Sequence, residues 1–358
     1  LYDNQLIILP ESIGKLTSLE VLDVSNNQLI ILPDSIVNLS SLEGLFLSNN
    51  QLTTLPEIGS LSSLERLDLQ ENQLTSLPES IGNLTSLEEL NFSGNQLTGE
   101  IPNSISELVS LKFLVLDDNK LTGSIPSDIG NLTNLIELDL QDNQISGQVP
   151  SEIGSLFNLK GINLSGNKIE GEIPNSIGEL VNLEVLILDD NELIGPIPSE
   201  IGNLINLNSL YLNDNQFSGL IPEEICNQGD RSPSLSDNYL CPPYPECIEE
   251  YVGDQDTTNC SSMSITDNLI PIIYTLSSPY PNPFNPTTSI SFSIPQSDIV
   301  SLNVYDITGK LVTTLINEQL NIGYHSIDWD GTNQSSGMYF VRMESGEYVE
   351  TQKLLLVK

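Results

Sequence analysis

Nine times within its first 225 residues the chain repeats one phrase, opened by Leu16, Leu39, Leu61, Leu84, Leu108, Leu132, Leu156, Leu180 and Leu204 at intervals of 22 to 24 residues. A period of that length decides the architecture before any single residue does. Each copy is too small to bury its own apolar face and must stack on its neighbours. In every copy the third, sixth and eighth residues after the opener are apolar, the eleventh is Asn and the thirteenth is apolar again, as in Leu111, Leu114, Leu116, Asn119 and Leu121. The residues around the sixth and eighth positions supply one short strand per repeat. Stacked copies then pair these strands in a parallel sheet with about 4.8 Å between neighbours, and the apolar positions point into a shared core.

The recurring Asn, from Asn4, Asn27 and Asn50 through Asn191 and Asn215, falls where the chain leaves the strand. A buried amide there can satisfy backbone groups that no regular ladder reaches, so these residues are expected to form a structural ladder. Two dialects follow the Asn. Up to about Leu84 it is LxxLP, as in "LIILPDSI"; from Leu97 onward it is LTGxIPxxIG, as in "LTGSIPSDIG". Gly99, Gly123, Gly147, Gly171, Gly195 and Gly219 mark the added position, where a Cβ would obstruct a tight turn or close stacking. Copies 72 residues apart match best, Leu84 with Leu156 and Leu108 with Leu180, so the array has grown by block duplication.

The pattern LxxLxxLxLxxNxL resembles the leucine-rich repeat family, and the second dialect resembles the plant-type repeat of receptor-kinase ectodomains and of secreted inhibitors of wall-degrading enzymes. The resemblance implies a leucine-rich repeat solenoid, a parallel-sheet horseshoe with an irregular and 3-10 helical convex side, used outside the cell. Leu1 lines up with the middle of a repeat, so residues 1–225 are expected to be an N-terminally truncated solenoid.

Charge narrows the partners. Forty-nine Asp and Glu against 11 Lys and Arg give a net charge of −38, which repels a phosphate backbone and an anionic lipid surface alike. Nucleic acid is therefore not expected as a partner, and no apolar run is long enough for a transmembrane segment. With a single His, His325, and no defensible Ser/His/Asp, Cys/His or paired-carboxylate arrangement, the chain is not expected to be an enzyme, and no cofactor or metal site is read. The loop "DWDGTN" offers Asp328, Asp330 and Asn333 as oxygen donors but lacks the full ligand set of a calcium loop and is read as a turn.

Cys226, Cys241, Cys247 and Cys260 all sit just past the last repeat. Their even number and clustering, without CxxC spacing, favour two disulfides in an oxidising compartment over a zinc site, with three connectivities open. Residues 226–262 are read as a Cys-rich cap on the solenoid and 263–278 as a linker. From 279 to 358 alternating runs such as Ile290, Phe292 and Ile294 suggest about seven short strands and a small immunoglobulin-like β-sandwich.

This tail resembles the C-terminal sorting domain of the type IX (Por) secretion system, type A. The matching residues include Pro281, Asn282, Pro283 and Phe284, Gly309 and Lys310 in "VYDITGKLV", the "WDGTN" run, Gly337, and the closing stretch from Lys353. The resemblance implies export in a bacterium of the Bacteroidetes kind, recognition by outer-membrane secretion machinery, and cleavage by a sortase between about Ser261 and Tyr280. The expected localisation is secreted, at the outer-membrane surface or extracellular.

Ligand binding is expected on the concave strand face, where apolar and aromatic residues stand among carboxylates. The candidates are Phe46, Phe113, Val115, Val185, Ile187 and Tyr211. The expected function is surface-displayed recognition of a protein or polysaccharide ligand. The alternatives are a structural adhesin or spacer without a specific ligand, and a fragment of a larger enzyme.

Overall fold

The computed structural model describes residues 1–258, 260, 274–277, 279, 282, 284–346 and 348–358. The chain divides into two compact units, Leu1–Cys260 and Ser261–Lys358.

In the first unit each repeat contributes a three-residue strand, and nine of these pair in chain order: Val21–Asp23, Gly44–Phe46, Arg66–Asp68, Glu89–Asn91, Phe113–Val115, Glu137–Asp139, Gly161–Asn163, Val185–Ile187 and Ser209–Tyr211. All pairs are parallel and in phase; Phe113, Leu114 and Val115 stand opposite Glu137, Leu138 and Asp139. Because side chains alternate along a strand, the middle residue, such as Leu114 or Leu138, is fully buried while the first and third face away from the core.

The opposite wall is made of short 3-10 helices. Ser127–Asn131 is typical: it follows Pro126, whose φ of −65° and ψ of 139° hold an extended entry, and it buries Ile129. The Gly in this turn permits close stacking. At Gly154 a Cβ would lie 2.6 Å from the carbonyl oxygen of Ser176 in the next repeat. Gly147 serves a different need. Its φ of 75° lies in the left-handed region, where a side chain is strained whatever the space around it. The second dialect also pairs its own short strands, including the five-stranded run from Ser146–Gly147 through Lys168–Gly171, Glu192–Gly195 and Gln216–Leu220 to Tyr239–Cys241.

Two side-chain ladders tie the repeats together. In the first, Asn119 accepts a hydrogen bond from Leu97 N–H at 2.9 Å and donates to the carbonyls of Phe92, Leu116 and Asp117 at 2.9, 3.1 and 3.0 Å. Asn27 through Asn215 repeat this arrangement, and Asn238 carries it one step further, into the cap. The second ladder sits two residues after the opener from Leu61 onward; there Asn134, Asn158, Asn182 and Asn206 donate to the carbonyls of Val109, Thr133, Phe157 and Val181 at 2.8 to 2.9 Å. Ser63, Ser86 and Ser110 play the same part earlier in the array.

The cap contains two disulfides, Cys226–Cys247 and Cys241–Cys260. Leu235, Leu240, Ile248 and Val252 continue the apolar core beneath them. The end of the solenoid is thus closed both covalently and by burial.

The second unit has its own core and two antiparallel sheets. One is Thr275–Leu276, Thr287–Ile294 and Gly323–Asp330; the other is ordered Leu311–Leu320, Asp298–Asp306, Gly337–Ser345, Tyr348–Leu356. The first strand falls within the 263–278 stretch read as linker. It is held there because Leu276 is 3% exposed, its N–H donates to Glu350 and its carbonyl accepts from Gln352 at 3.0 Å. The sandwich therefore starts before 279. Residues 263–273 and 278, and most of the expected cleavage stretch, lie outside the described residues.

Candidate ligand-binding face

Strand register arranges the outward-facing residues of the nine-stranded sheet in two rows. Glu89, Phe113, Glu137, Gly161, Val185 and Ser209 stand in one; Asn91, Val115, Asp139, Asn163, Ile187 and Tyr211 stand in the other. Val185 and Ile187 face Ser209 and Tyr211 directly, and Tyr211 is 42% exposed. Phe113 and Val115 share a strand but are separated from Val185 by the two strands that begin at Glu137 and Gly161. Phe46 stands alone on the second strand, its ring folded back over Gly44. The six sequence candidates thus form three groups rather than one continuous patch.

Between the second and third groups lies a feature the sequence reading missed. A hollow of about 380 Å³ opens over Gly161, lined by Glu137, Asp139, Lys160, Asn163, Val185 and Ile187 among others. Its signal was present in "LKGINLSGN", where an outward-facing strand position has no side chain.

The electrostatics of this region are unbalanced. Burial pushes the Asp139 carboxyl up to about 6; the charges of Asp117 and Glu137 add to the rise, while the Gln141 N–H at 3.1 Å works against it. Burial likewise raises Asp189, crowded by Asp190, Asp214 and Asp142, and its Oδ1 has no hydrogen-bond partner among the described residues. The nearby cations already have partners: Lys160 pairs with Glu184, both of them lining the hollow, and Lys112 pairs with Glu88, each at 2.8 Å.

A raised folded-state pKa means that Asp139 binds its proton more tightly in the fold than in the unfolded chain. Its contribution is most favourable below about 3.8 and is lost as pH rises through about 6. Asn91 and Asn163 occupy the same position in other repeats and accept the same backbone bond. Asp139→Asn is therefore expected to raise stability at pH 7 by about 1 kcal/mol, solvent screening of a half-buried group having reduced the full effect. The gain should shrink toward pH 4. Urea midpoints of parent and variant across pH 4 to 8 measure it, and a gain that does not vary with pH would contradict the assignment.

In the second unit the sorting-motif residues serve the fold. Asn282 donates to the Lys353 carbonyl and accepts from Leu355 N–H, both at 2.8 Å, so Lys353 takes part through its backbone. Phe284 is 2% exposed and packs 5.2 Å from Trp329, between ring centroids. Gly309, at φ 81°, closes the turn in which Asp306 accepts from Thr308 and Lys310 N–H. Gly337 opens the strand Gly337–Ser345. Pro281 and Pro283 lie outside the described residues. In the "DWDGTN" loop Asp330 accepts from the N–H and hydroxyl of Thr332, an Asx turn.

Family models agree with this anatomy. Leucine-rich repeat models match residues 1–52, 17–74, 53–147, 158–180, 182–204 and 206–228, and a secretion system C-terminal sorting domain matches 278–358. Among solved structures, a TDR receptor is 36% identical with a TM-score of 0.65, over 68% of this chain and 43% of that one. The plant peptide hormone receptor RGFR1, in complex with RGF2, is 30% identical with a TM-score of 0.60, over 67% and 47%. A plant ice-binding protein is 26% identical with a TM-score of 0.54, over 69% and 82%. The chain spans less than half the length of the two receptors. A search of curated proteins finds no match.

A solenoid built from these repeats with a separate antiparallel tail defines a repeat protein addressed for export. The chain belongs to the leucine-rich repeat family and carries a type IX (Por) C-terminal sorting domain, which marks it for secretion and cell-surface display. Among the described residues no helix is long and apolar enough to cross a membrane.

Proposed function

We propose that the protein is a surface-displayed binder, not an enzyme, that recognises a protein or glycan through the open face of its nine-stranded sheet. The observation that carries this reading is the sheet face itself. Tyr211, Ile187 and Val185 stand outward beside carboxylates, in a unit whose tail sends it out of the cell. The same architecture in RGFR1 is in complex with RGF2, which supports a protein ligand here. The tail sandwich, read as immunoglobulin-like, is proposed to engage the outer-membrane secretion machinery and to be removed by a sortase.

A second reading, an adhesin spacer without a specific ligand, draws on one observation: Phe113 and Val185 are 72 residues apart, the length of the duplicated block. Peptide and glycan arrays probed with the full chain separate the two. The variant Phe113→Ser/Val185→Ser/Tyr211→Ser should fold as the parent does, since none of the three is a core residue, and should lose at least tenfold in array signal. Hits that survive all three changes would place binding elsewhere, and an array without hits favours the spacer.

A further inference from the structure

Two glycines occupy the outward-facing first position of a strand in the nine-stranded sheet, Gly44 and Gly161. At Gly44 the chain fills the gap itself: a Cβ there would lie 2.9 Å from Cε2 of Phe46. At Gly161 it does not. Asn163, the residue equivalent to Phe46, donates its Nδ2 to Gln141 Oε1 at 2.6 Å, and a Cβ on Gly161 would approach nothing closer than Glu137 Cγ at 3.7 Å. The flanking strands stand two spacings apart, about 9.6 Å, which leaves room for one flat group in contact with both sides.

Those sides differ in chemistry. Val185 and Ile187 form an apolar wall; Glu137 and Asp139 form a carboxylate wall. Lys160 and Glu184 also line the hollow, but they pair with each other, and Lys112 pairs with Glu88, so among the described residues no cation pairs with Glu137 or Asp139.

We infer that the hollow over Gly161 receives an arginine side chain of a protein ligand, its stem against Val185 and Ile187 and its guanidinium against Glu137 and Asp139. This rests on the reading of the sheet face as the binding surface and names what one position of that face takes. Arginine suits the site because its guanidinium is flat, weakly hydrated and able to bridge carboxylate oxygens, while its methylenes pack on apolar surface. A neutral sugar would leave the two carboxylates uncompensated, and an anion would be repelled.

The test uses N-acetyl-arginine N-methylamide and its neutral isostere, the equivalently blocked citrulline, titrated into the isotope-labelled full chain and followed by amide chemical shifts. The arginine compound should saturably shift Gly161, Ile162 and Leu138, and the citrulline compound should bind at least tenfold more weakly. Gly161→Val fills the hollow with a residue that the next strand already carries at Val185, so the fold should be kept while arginine binding falls at least tenfold. Glu137→Gln should weaken binding without filling anything. Shifts spread over the whole acidic surface and indifferent to Gly161→Val would overturn the inference. Two crossed outcomes keep it apart from the broader reading. If the triple serine variant loses array binding while Gly161→Val keeps both array and arginine binding, the face stands and the arginine slot falls. If array hits survive both the triple variant and Gly161→Val, the sheet face is not the binding surface and the slot falls with it.

Discussion

Asn143→Ala is expected to cost roughly 3 kcal/mol and to break the solenoid's unfolding into two steps. The side chain is 8% exposed and lies in the middle of the array. Its Oδ1 accepts from Leu121 N–H at 2.9 Å, and its Nδ2 serves the carbonyls of Leu116, Leu140 and Gln141 at 3.0 to 3.1 Å. Alanine leaves a buried donor and buried acceptors short of partners, and each such orphan costs about 1 to 3 kcal/mol. In a stack whose stability is a sum of repeat and nearest-neighbour terms, weakening one central interface uncouples the halves on either side. Asn4→Ala supplies the contrast, because that amide is exposed and bonds only to Leu1 and Tyr2 carbonyls; its cost should stay within about 0.5 kcal/mol. Urea unfolding followed by circular dichroism distinguishes the two. A single transition at the parent's midpoint for Asn143→Ala would remove the ladder from the account of stability.

What was legible in the sequence was whatever recurs. Leu114, Leu116 and Asn119 are readable because nine copies put the same residue type at the same offset, and the parallel sheet follows from that phase. The second ladder recurs in every repeat from Leu61 onward, yet a Ser or Asn two residues after the opener looks like any polar loop residue until its bond to the preceding repeat is seen. Features that depend on absence or on neighbours were not legible. The hollow over Gly161 exists because a side chain is missing and because Asn163, which lines it, is held by Gln141 of the preceding repeat, 22 residues away, instead of folding over the glycine as Phe46 does over Gly44. The raised Asp139 pKa comes first from burial, which only the folded face creates, and then from Asp117 in the preceding repeat, with Glu137 two residues away on the same strand adding to it. Cysteine spacing left three disulfide connectivities open, and only the folded cap selects Cys226–Cys247 and Cys241–Cys260. Leu276 gave no strand signal of its own; pairing with Phe292 and burial by the sandwich decide its place.

The sorting motif was recognisable as a string of residues, but its physical role emerges only from contacts, and that role sets the last expectation. Phe284→Ala should cost about 3 to 5 kcal/mol, the range for deleting a fully buried aromatic. Phe284 packs against Trp329, which in turn meets Tyr339 edge-on at 5.2 Å, and Gly331 leaves the room that Phe284 and Leu356 fill. Its backbone also binds the last strand, through Phe284 N–H to the Leu355 carbonyl at 2.9 Å and Val357 N–H to the Phe284 carbonyl at 3.0 Å. A sandwich of this size has a total stability of only about 5 to 10 kcal/mol, so the loss removes about a third or more of it and raises the unfolded fraction, which the cell's proteases and chaperones act on, at least about a hundredfold. The solenoid has a separate core and should be unaffected. In cells the variant should therefore accumulate behind the outer membrane with a folded, disulfide-bonded solenoid, and surface labelling should fall at least tenfold. Lys353→Ala is the matched control: its side chain is exposed and only its carbonyl holds Asn282, so the fold should survive. If Phe284→Ala unfolds the tail yet display is unchanged, the export machinery reads a linear signal and the folded sandwich is dispensable. If Lys353→Ala keeps the fold and loses display, the machinery reads that side chain directly, and part of the motif lies on the surface after all.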